Sequence, residues 1–311
     1  MGPIKPRILI NDADRVTFHH EYLHPILTQY FDIVKYQEGV DYAALEYTIM
    51  THSGFTNTWY STLVAEGAKL IYDAFWEYHV AAELTEQYIG QAFVASSKNY
   101  FWINEYYLHC LSNYNSYQPN RHYTHLALLP IRQSKPHRRQ LLIALESLLD
   151  RIIYSQADQG RYLPNSQTKS VEDMDQRYFN PTWYDSTYFS IVSETTTYSK
   201  YQLHITEKTY KPIAYYHPFV LFGQTGTLAY LHELGFESFE NLFDESYDLV
   251  EDQPTRLAMI VDNVKNFKET DYDAITLDKL EHNYNLFYNT QRVKQMFITD
   301  VVNPILEYVN S

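Results

Sequence analysis

The chain has 311 residues, 45% hydrophobic and 20% charged, with 24 Lys and Arg against 38 Asp and Glu, a formal net charge of −14. That apolar content can fill a core, which excludes a disordered or collagen-like chain. The acidic balance disfavours a dedicated nucleic-acid binder, and the single cysteine, Cys110, excludes an internal disulfide or a cysteine-rich metal site. No apolar run approaches the roughly 18 residues of a membrane helix. We therefore expect a cytoplasmic protein.

Apolar runs and amphipathic stretches alternate through the first third of the chain. Helices are predicted over 18–31 and around 59–65. A strand–helix–strand spacing of about 20 to 25 residues predicts parallel βαβ units in an open, Rossmann-like sheet. The four predicted strands are Arg7–Ile10, Tyr47–Met50, Lys69–Asp73 and Ala92–Ala95.

A polar stretch, Ser112–His125, predicts a linker, after which the alternation resumes. We predict two Rossmann-like domains over 1–120 and 121–290, with a helix over 291–311 that packs back on the first. One large doubly wound sheet is the alternative. The second series comprises strands Leu126–Ile131, Phe189–Val192 and Pro218–Phe222, helices Gln140–Leu149 and Thr206–Tyr216, a loop over Gln156–Trp183 and a helical region beyond Thr255.

Several common site motifs are missing from the sequence. No G-x-G-x-x-G follows a predicted strand, and neither a P-loop nor a G-x-S-x-G elbow occurs, so classical dinucleotide, P-loop and α/β-hydrolase chemistry lack their motifs. Asp12–Asp14 and Asp173–Asp175 spell D-x-D, a metal-binding signature. The first lies too near the start of the chain, and the second falls in a polar loop with no strand before it.

Two predicted helix starts carry charge of the wrong sign. Because the N-terminal end of a helix is electrically positive, cations there cost a few tenths of a kcal/mol each. A shared anion such as a pyrophosphate would explain them, and a solvated basic face is the alternative. At the first start, Pro136 fits the first helical position amid Arg132, Lys135, Arg138 and Arg139. At the second, Thr206 can cap a helix that carries Lys208 and Lys211.

The charge distribution agrees with an anion site. Residues 130–211 hold 11 Lys and Arg and 9 Asp and Glu, a net charge of +2, whereas 1–129 carry −6 and 212–311 carry −10. Both anomalous helix starts lie in this positive region. Glu207, beside Lys208, could accept both hydroxyls of a ribose, or simply stabilise the helix dipole.

Three segments resemble the donor-binding half of the α-1,3-fucosyltransferases: Phe189–Glu194, Ile205–Lys208 and Pro218–Gly223. Three further features are similar to glycosyltransferase-like proteins of phages and large DNA viruses. These are the Glu-Lys-Thr-x-Lys-Pro run at Glu207–Pro212, the Lys-Pro-His-Arg run at Lys135–Arg138, and Gly235–Phe236 followed by Ser246–Asp248. The resemblance covers residues 126–250 and implies the GT-B architecture: two Rossmann-like domains facing a cleft, with a nucleotide-sugar bound mainly by the second.

The resemblance also implies roles for individual residues. Glu207 would bind the donor ribose, and Lys208, at the helix start capped by Thr206, would bind the pyrophosphate. Arg132, Lys135 and Arg138 would help from the other helix start. Ser193–Thr195 replaces the family's Phe-Glu-Asn, which leaves the role of Glu194 and the identity of the sugar open.

The expected reaction is transfer of a sugar from a nucleoside diphosphate sugar to an acceptor hydroxyl, with no metal or other cofactor. A base for the acceptor is sought at the carboxyl ends of strands in the first domain: Asp73 and Glu77 first, then Asp12 and Asp14, with His52 as a further group facing the cleft. Each acid could instead be structural.

The acceptor would be a glycan or a hydroxylated base; duplex DNA is disfavoured by charge, and no membrane partner is expected. A non-catalytic nucleotide-sugar binding protein and a metal-dependent GT-A enzyme are the alternatives.

Overall fold

The computed structural model describes residues 5–10, 26–35, 48–51, 69–73, 81–87, 89–90, 92–165, 180–198 and 202–311. The chain is mixed α/β and divides into two compact units. The first comprises Met1–Tyr107 with Thr290–Ser311, and the second is Leu108–Asn289. The sequence predicts a boundary after residue 120, whereas the structure divides after residue 107. The arrangement of two domains about a cleft stays a prediction.

The helices are short to medium in length. In chain order they are α1 (Ala81–Gln87), α2 (Tyr100–Leu111), α3 (Pro136–Ala144), α4 (Pro181–Asp185), α5 (Glu207–Ala214), α6 (Thr227–Glu233), α7 (Gln253–Asn266), α8 (Ala274–Phe287), α9 (Thr290–Phe297) and α10 (Asn303–Asn310). Five 3₁₀ turns and one π-helical turn are also described: Tyr114–Ser116, Glu146–Leu148, Ala157–Gln159, Glu245–Leu249 and Glu269–Asp271, and Ile298–Val302.

A parallel five-stranded sheet forms the first unit. Its strands lie in the order β2-β1-β3-β4-β5. Two predicted strands are confirmed with the same bounds, one with its first residue shifted by one, and one with both ends shifted by one residue. The strands are β1 (Arg7–Ile10), β2 (Asp32–Lys35), β3 (Thr48–Thr51), β4 (Lys69–Asp73) and β5 (Phe93–Ala95).

Burial explains which of these strands the sequence reveals. Ile8, Leu9, Leu70 and Ile71 are fully buried, and a strand covered on both faces has a continuous apolar run. The sequence misses β2, which lies at the sheet edge, begins and ends with a charged residue, and has only half-buried apolar positions. Of the helix predicted over 18–31, residues 26–30 are helical and 18–25 lie outside the described residues.

The C-terminal helices pack on the first unit. The rings of Phe93 and Tyr308 are stacked with centroids 5.1 Å apart. Lys69 Nζ donates to the carbonyl oxygens of Tyr308 and Val309, each at 3.1 Å, at the last turn of α10. This ammonium satisfies carbonyls that have no partner within the helix and complements the negative end of its dipole.

A parallel four-stranded sheet, ordered β7-β6-β8-β9, forms the second unit. The predicted strands at β6, β8 and β9 are confirmed, with bounds shifted by at most two residues. The three residues of β7 were missed, because so short a run has little periodicity. The strands are β6 (His125–Leu129), β7 (Ile152–Tyr154), β8 (Thr187–Ser193) and β9 (Phe219–Phe222).

Two local predictions in the second unit differ from the structure. The helix predicted over 140–149 begins earlier, at the predicted first position Pro136, and it ends earlier, at Ala144, where a 3₁₀ turn follows. The predicted linker 112–125 belongs to the unit: Arg121 in this stretch donates to the carbonyl oxygens of Tyr184 at 2.8 Å and Tyr215 at 3.1 Å. The stretch is mostly exposed, but these part-buried hydrogen bonds of Arg121 attach it to the unit, so it is not a free connection.

Because β6, β8 and β9 are parallel, their carboxyl ends lie at the same end of the second sheet. Ligands in α/β proteins bind beyond the carboxyl ends of the strands. The segments that follow these strands, 130–135, 194–206 and 223–226, lead into α3, α5 and α6. The predicted donor-binding residues lie in the first two segments and in the helix starts that they enter.

Candidate functional site

The two helix starts have the predicted local structure. Pro136 is the first residue of α3, with Lys135 in the N-cap position and no side-chain cap. Thr206 is the N-cap of α5, and its Oγ1 accepts from the backbone N–H of Lys208 at 3.4 Å. Farther into the first turns, Thr209 N donates to Thr206 O at 3.1 Å and Arg138 N donates to Lys135 O at 3.0 Å.

The ammonium groups of two lysines, one from each helix start, converge on Thr195. Lys135 Nζ donates to the Thr195 carbonyl oxygen at 2.9 Å, and Lys208 Nζ donates to Thr195 Oγ1 at 3.4 Å. Neither cation extends into bulk water away from the other. Two like charges held on either side of one residue repel each other, so an anion between or beside them would be stabilised.

Arg138 lies at the same place but faces inward. It is 3% exposed, and its guanidinium donates to the carbonyl oxygens of Gln133, Ser193 and Glu194 at 3.0–3.1 Å. These bonds hold the end of β8 against α3. These contacts are those of a residue that positions the backbone, and direct contact of Arg138 with a pyrophosphate stays a prediction.

Glu194 is a buried hydrogen-bond hub. It is 1% exposed, and its carboxylate accepts from Thr206 N at 2.9 Å, Thr206 Oγ1 at 2.6 Å, Thr209 Oγ1 at 2.6 Å and Thr195 N at 3.1 Å. With four protein donors engaged, this carboxylate joins the end of β8 to the start of α5. A Cβ on Gly223 would lie 2.7 Å from Leu221 Cδ2 and 3.3 Å from Thr227 Oγ1, so a larger residue beside Glu194 would require the Leu221 side chain to shift.

Glu207 and Lys208 form an ion pair at the tip of α5. Lys208 Nζ lies 2.6 Å from Glu207 Oε1. The Lys208 side chain is 20% exposed and the Glu207 side chain is 14% exposed. Burial alone would raise the pKa of Glu207, but the charge and hydrogen bond of Lys208, with the charge of Lys211, outweigh it and lower this pKa to about 2. Glu207 is therefore ionised at any physiological pH.

The surroundings of α3 concentrate positive charge. Burial, followed by the charges of Arg138 and Lys208, lowers the pKa of Lys135. Burial also lowers the pKa of His137 to about 4, so this imidazole is neutral near pH 7. Its Nε2 lies 3.0 Å from the Glu194 carbonyl oxygen. Arg132 is exposed near the same helix start. This arrangement can hold an anion with more than one charge.

Sequence reasoning missed Arg256, in the first turn of α7. It is 1% exposed and donates to Thr197 O at 2.7 Å, Thr225 Oγ1 at 3.0 Å, Glu251 O at 3.2 Å and Val250 O. One guanidinium thus joins the segments that follow β8 and β9. A cation in the first turn of a helix was the signal that singled out α3 and α5, and it applies to Arg256 equally.

The segment Ser246–Asp248, part of the family resemblance, caps a helix. Asp248 Oδ2 accepts from the backbone N–H groups of Leu228 at 3.1 Å and Ala229 at 3.3 Å, at the start of α6. Tyr247 OH accepts from Leu221 N at 3.1 Å, on the edge strand β9. These side chains organise the sheet edge next to the segment 223–226.

The predicted catalytic acids stay predictions. Asp73 is the last residue of β4, but its side chain lies outside the described residues. Glu77, Asp12 and Asp14 also lie outside them, as do His52 and the second D-x-D at Asp173–Asp175.

Where the chain is described, no group of three His, Cys, Asp or Glu side chains could hold a metal ion. Of the helices described, none is both long and apolar enough to cross a bilayer.

Comparison with known proteins gives little for this sequence. No protein-family model matches the chain, and no curated protein is significantly similar. Among solved structures, an α1,3-fucosyltransferase with GDP-fucose is similar at 12% identity and a TM-score of 0.43, over 96% of this chain and 91% of that one. Likeness at this level does not establish a shared activity, so function has to be argued from the residues of this chain.

Proposed function

We propose that the protein is a glycosyltransferase that binds a nucleoside diphosphate sugar at the tips of α3 and α5. The observation that carries this proposal is the convergence of Lys135 and Lys208 on Thr195. A diphosphate beside Thr195 would interact with both ammonium groups and with the N–H groups at the start of α5. Arg132 and Lys211 would add longer-range attraction.

The chemistry proposed for this site is stabilisation of a leaving group. When the bond from the sugar to the β-phosphate breaks, negative charge develops on the diphosphate, and fixed cations and helix dipoles stabilise it. Arg138, Glu194 and Arg256 would keep the segment 193–197 rigid, so that little reorganisation accompanies the reaction. We propose that no metal ion is required.

The acceptor side of the reaction would be served by the first unit. In an inverting reaction a carboxylate takes the proton of the acceptor hydroxyl as its oxygen attacks the anomeric carbon, and the nucleoside diphosphate leaves with the electron pair of the broken bond. Asp73, Glu77 and Asp12 are our candidates for that base. The proposed acceptor is a glycan or a hydroxylated nucleobase. The GT-B arrangement, a viral origin and a cytoplasmic location also stay proposals.

The proposal is tested first by ligand binding. The first experiment is a thermal-shift screen with UDP, GDP, ADP, CMP and TDP. We expect one preferred nucleotide to raise the unfolding temperature of the protein, because a ligand that binds only the folded state stabilises it. No shift with any of them, followed by no calorimetric binding, would refute the donor site. Labelled donor sugars then test turnover. Binding with neither transfer nor hydrolysis, unchanged in Asp73→Ala and Glu77→Ala, would favour the non-catalytic binding protein.

A further inference from the structure

A carboxylate from the C-terminal part of the chain, that of Asp300, contacts the segment that follows β5. Asp300 Oδ2 accepts from Ser97 Oγ at 2.8 Å and from Asn99 Nδ2 at 2.9 Å. Both donors lie between the last residue of β5 and the start of α2. They are more than 200 positions from Asp300 in the sequence, which explains why sequence reasoning missed this carboxylate.

The C-terminal segment crosses the first sheet in a defined direction. At the first residues of β4 and β5, Lys69 and Phe93 contact Tyr308, in the last turn of α10. Asp300 lies eight residues before Tyr308, about 12 Å along a helix. Ser97 lies four residues after Phe93, about 13 Å along an extended chain. The two lengths agree, so Asp300 lies beyond the carboxyl end of β5, where ligands of α/β proteins bind.

One oxygen of the Asp300 carboxylate is held, and the other is open. Ser97 Oγ accepts from Asn99 N at 3.2 Å, so its own proton serves Asp300 Oδ2. Ser97 and Asn99 are buried, whereas Asp300 is half-buried. Among the residues that the structure describes, no donor bonds to Asp300 Oδ1 and no cation pairs with this carboxylate. A general base needs such an oxygen within reach of the proton that it takes.

The backbone that carries Asp300 is also fixed. Asp300 belongs to the π-helical turn Ile298–Val302, and turns of this kind occur frequently at functional sites. Val301 and Val302, the next two residues, are fully buried and anchor the turn in the first unit. A rigid turn and two buried donors hold the carboxylate in one orientation, as catalysis requires of a reacting group.

We infer that Asp300 takes the proton of the acceptor hydroxyl in the proposed sugar transfer. The acceptor oxygen forms the new bond to the anomeric carbon as its proton passes to Asp300 Oδ1, and the nucleoside diphosphate leaves with the electron pair of the bond that breaks. The proton then passes to solvent. This inference rests on the proposed function, and it prefers Asp300 to the acids that the sequence put forward for the same role.

The test compares two nucleophiles, water and sodium azide, on the full chain. The donors are labelled nucleotide-sugars of the nucleotide preferred in the thermal-shift screen. Water must lose a proton when it attacks the anomeric carbon, whereas azide is already an anion and loses none. The variant Asp300→Ala removes the base and leaves space for azide. The matched control is Glu307→Ala, which removes a carboxylate at an exposed position of α10.

We expect Asp300→Ala to hydrolyse the donor about 100-fold or more slowly than wild type, because general-base catalysis contributes about this much. The same variant should form glycosyl azide of inverted configuration faster than wild type, because the carboxylate no longer repels the anion. Glu307→Ala should leave both rates unchanged. A merely structural carboxylate would lower both rates together, and that result overturns the inference. It is also overturned if Asp73→Ala shows the azide pattern and Asp300→Ala does not.

A second variant gives an answer even if Asp300→Ala fails to fold. The side-chain amide oxygen of Asp300→Asn can accept from Ser97 and Asn99 but does not take up a proton. We therefore expect an unfolding temperature close to that of wild type together with the same loss of hydrolysis. Hydrolysis at the wild-type rate overturns the inference. If wild type consumes none of the labelled donors, the proposed function fails and this inference fails with it; calorimetric binding of the nucleotide would then favour the non-catalytic binding protein.

Discussion

Glu194 and Thr206 are joined by two hydrogen bonds: the backbone N–H of Thr206 donates to Oε1 at 2.9 Å, and its hydroxyl donates to Oε2 at 2.6 Å. The pair connects the end of β8 to the N-cap of α5. Because Thr206 also accepts from the N–H of Lys208 and from its ammonium group, the position of Lys208 depends on a carboxylate fourteen residues earlier in the chain.

We expect Glu194→Gln to lower the free energy of unfolding by about 2–4 kcal/mol, because an amide can accept from fewer of the four donors and leaves buried groups unpaired. Urea denaturation followed by circular dichroism measures this. Glu233→Gln, at an exposed site, should change stability by no more than about 0.5 kcal/mol. Equal stability of the two variants would contradict the role of Glu194 as a buried hub.

Replacing Lys208, the lysine that we propose contacts the diphosphate, should weaken binding without loss of the fold. In Lys208→Ala we expect binding of the preferred nucleoside diphosphate to weaken by about 1–3 kcal/mol, as loss of a charge-assisted hydrogen bond does. Calorimetry gives the affinity and a thermal melt gives the stability. Lys268→Ala removes an exposed lysine elsewhere in the second unit and serves as the control. Equal affinity of Lys208→Ala and wild type would exclude Lys208 from the site.

Glu245 makes stability depend on pH. Burial raises its pKa to about 7, despite hydrogen bonds from Ser238 Oγ and Phe239 N that lower it. The folded chain thus holds a proton that the unfolded chain releases near pH 4.5, so this residue's contribution to stability falls as pH rises from about 4.5 to 7. Well above pH 7 Glu245 is ionised in both the folded and the unfolded chain, and the stability that its bound proton contributes at low pH is lost entirely.

Glu245→Gln imitates the protonated acid and should remove this dependence. Relative to wild type, we expect the variant to gain about 1–3 kcal/mol of unfolding free energy between pH 5 and pH 8. Urea denaturation at both pH values measures the difference. A wild-type-to-variant difference that is the same at pH 5 and pH 8 would show that Glu245 does not titrate in this range.

In the first unit, Lys69→Met should lower the free energy of unfolding by about 1 kcal/mol, because the last carbonyls of α10 lose their cationic donor. Thermal or urea denaturation tests this. Lys294→Met changes an exposed lysine on α9 in the same way and should have little effect. The capping role of Lys69 would be wrong if the two variants were equally stable.

Sequence reasoning succeeded where the physics is local. The strands at Lys69–Asp73 and Phe219–Phe222 follow from continuous apolar runs, and Pro136 and Thr206 are recognisable as the start and the cap of a helix within a few residues. The same local rule, that cations at a helix start oppose its dipole, pointed to the two segments that meet at Thr195. Each of these features depends on neighbours in the chain, which the sequence displays directly.

Tertiary structure decided which way the side chains of these segments face. Arg138 and Lys135 belong to one cationic run, yet the first is buried on backbone carbonyls and the second lies beside Lys208. The sequence left the role of Glu194 open, and the structure shows its carboxylate accepting from four protein donors. Buried polar groups must find partners wherever the fold supplies them, and those partners come from distant parts of the chain, so spacing in the sequence does not reveal them.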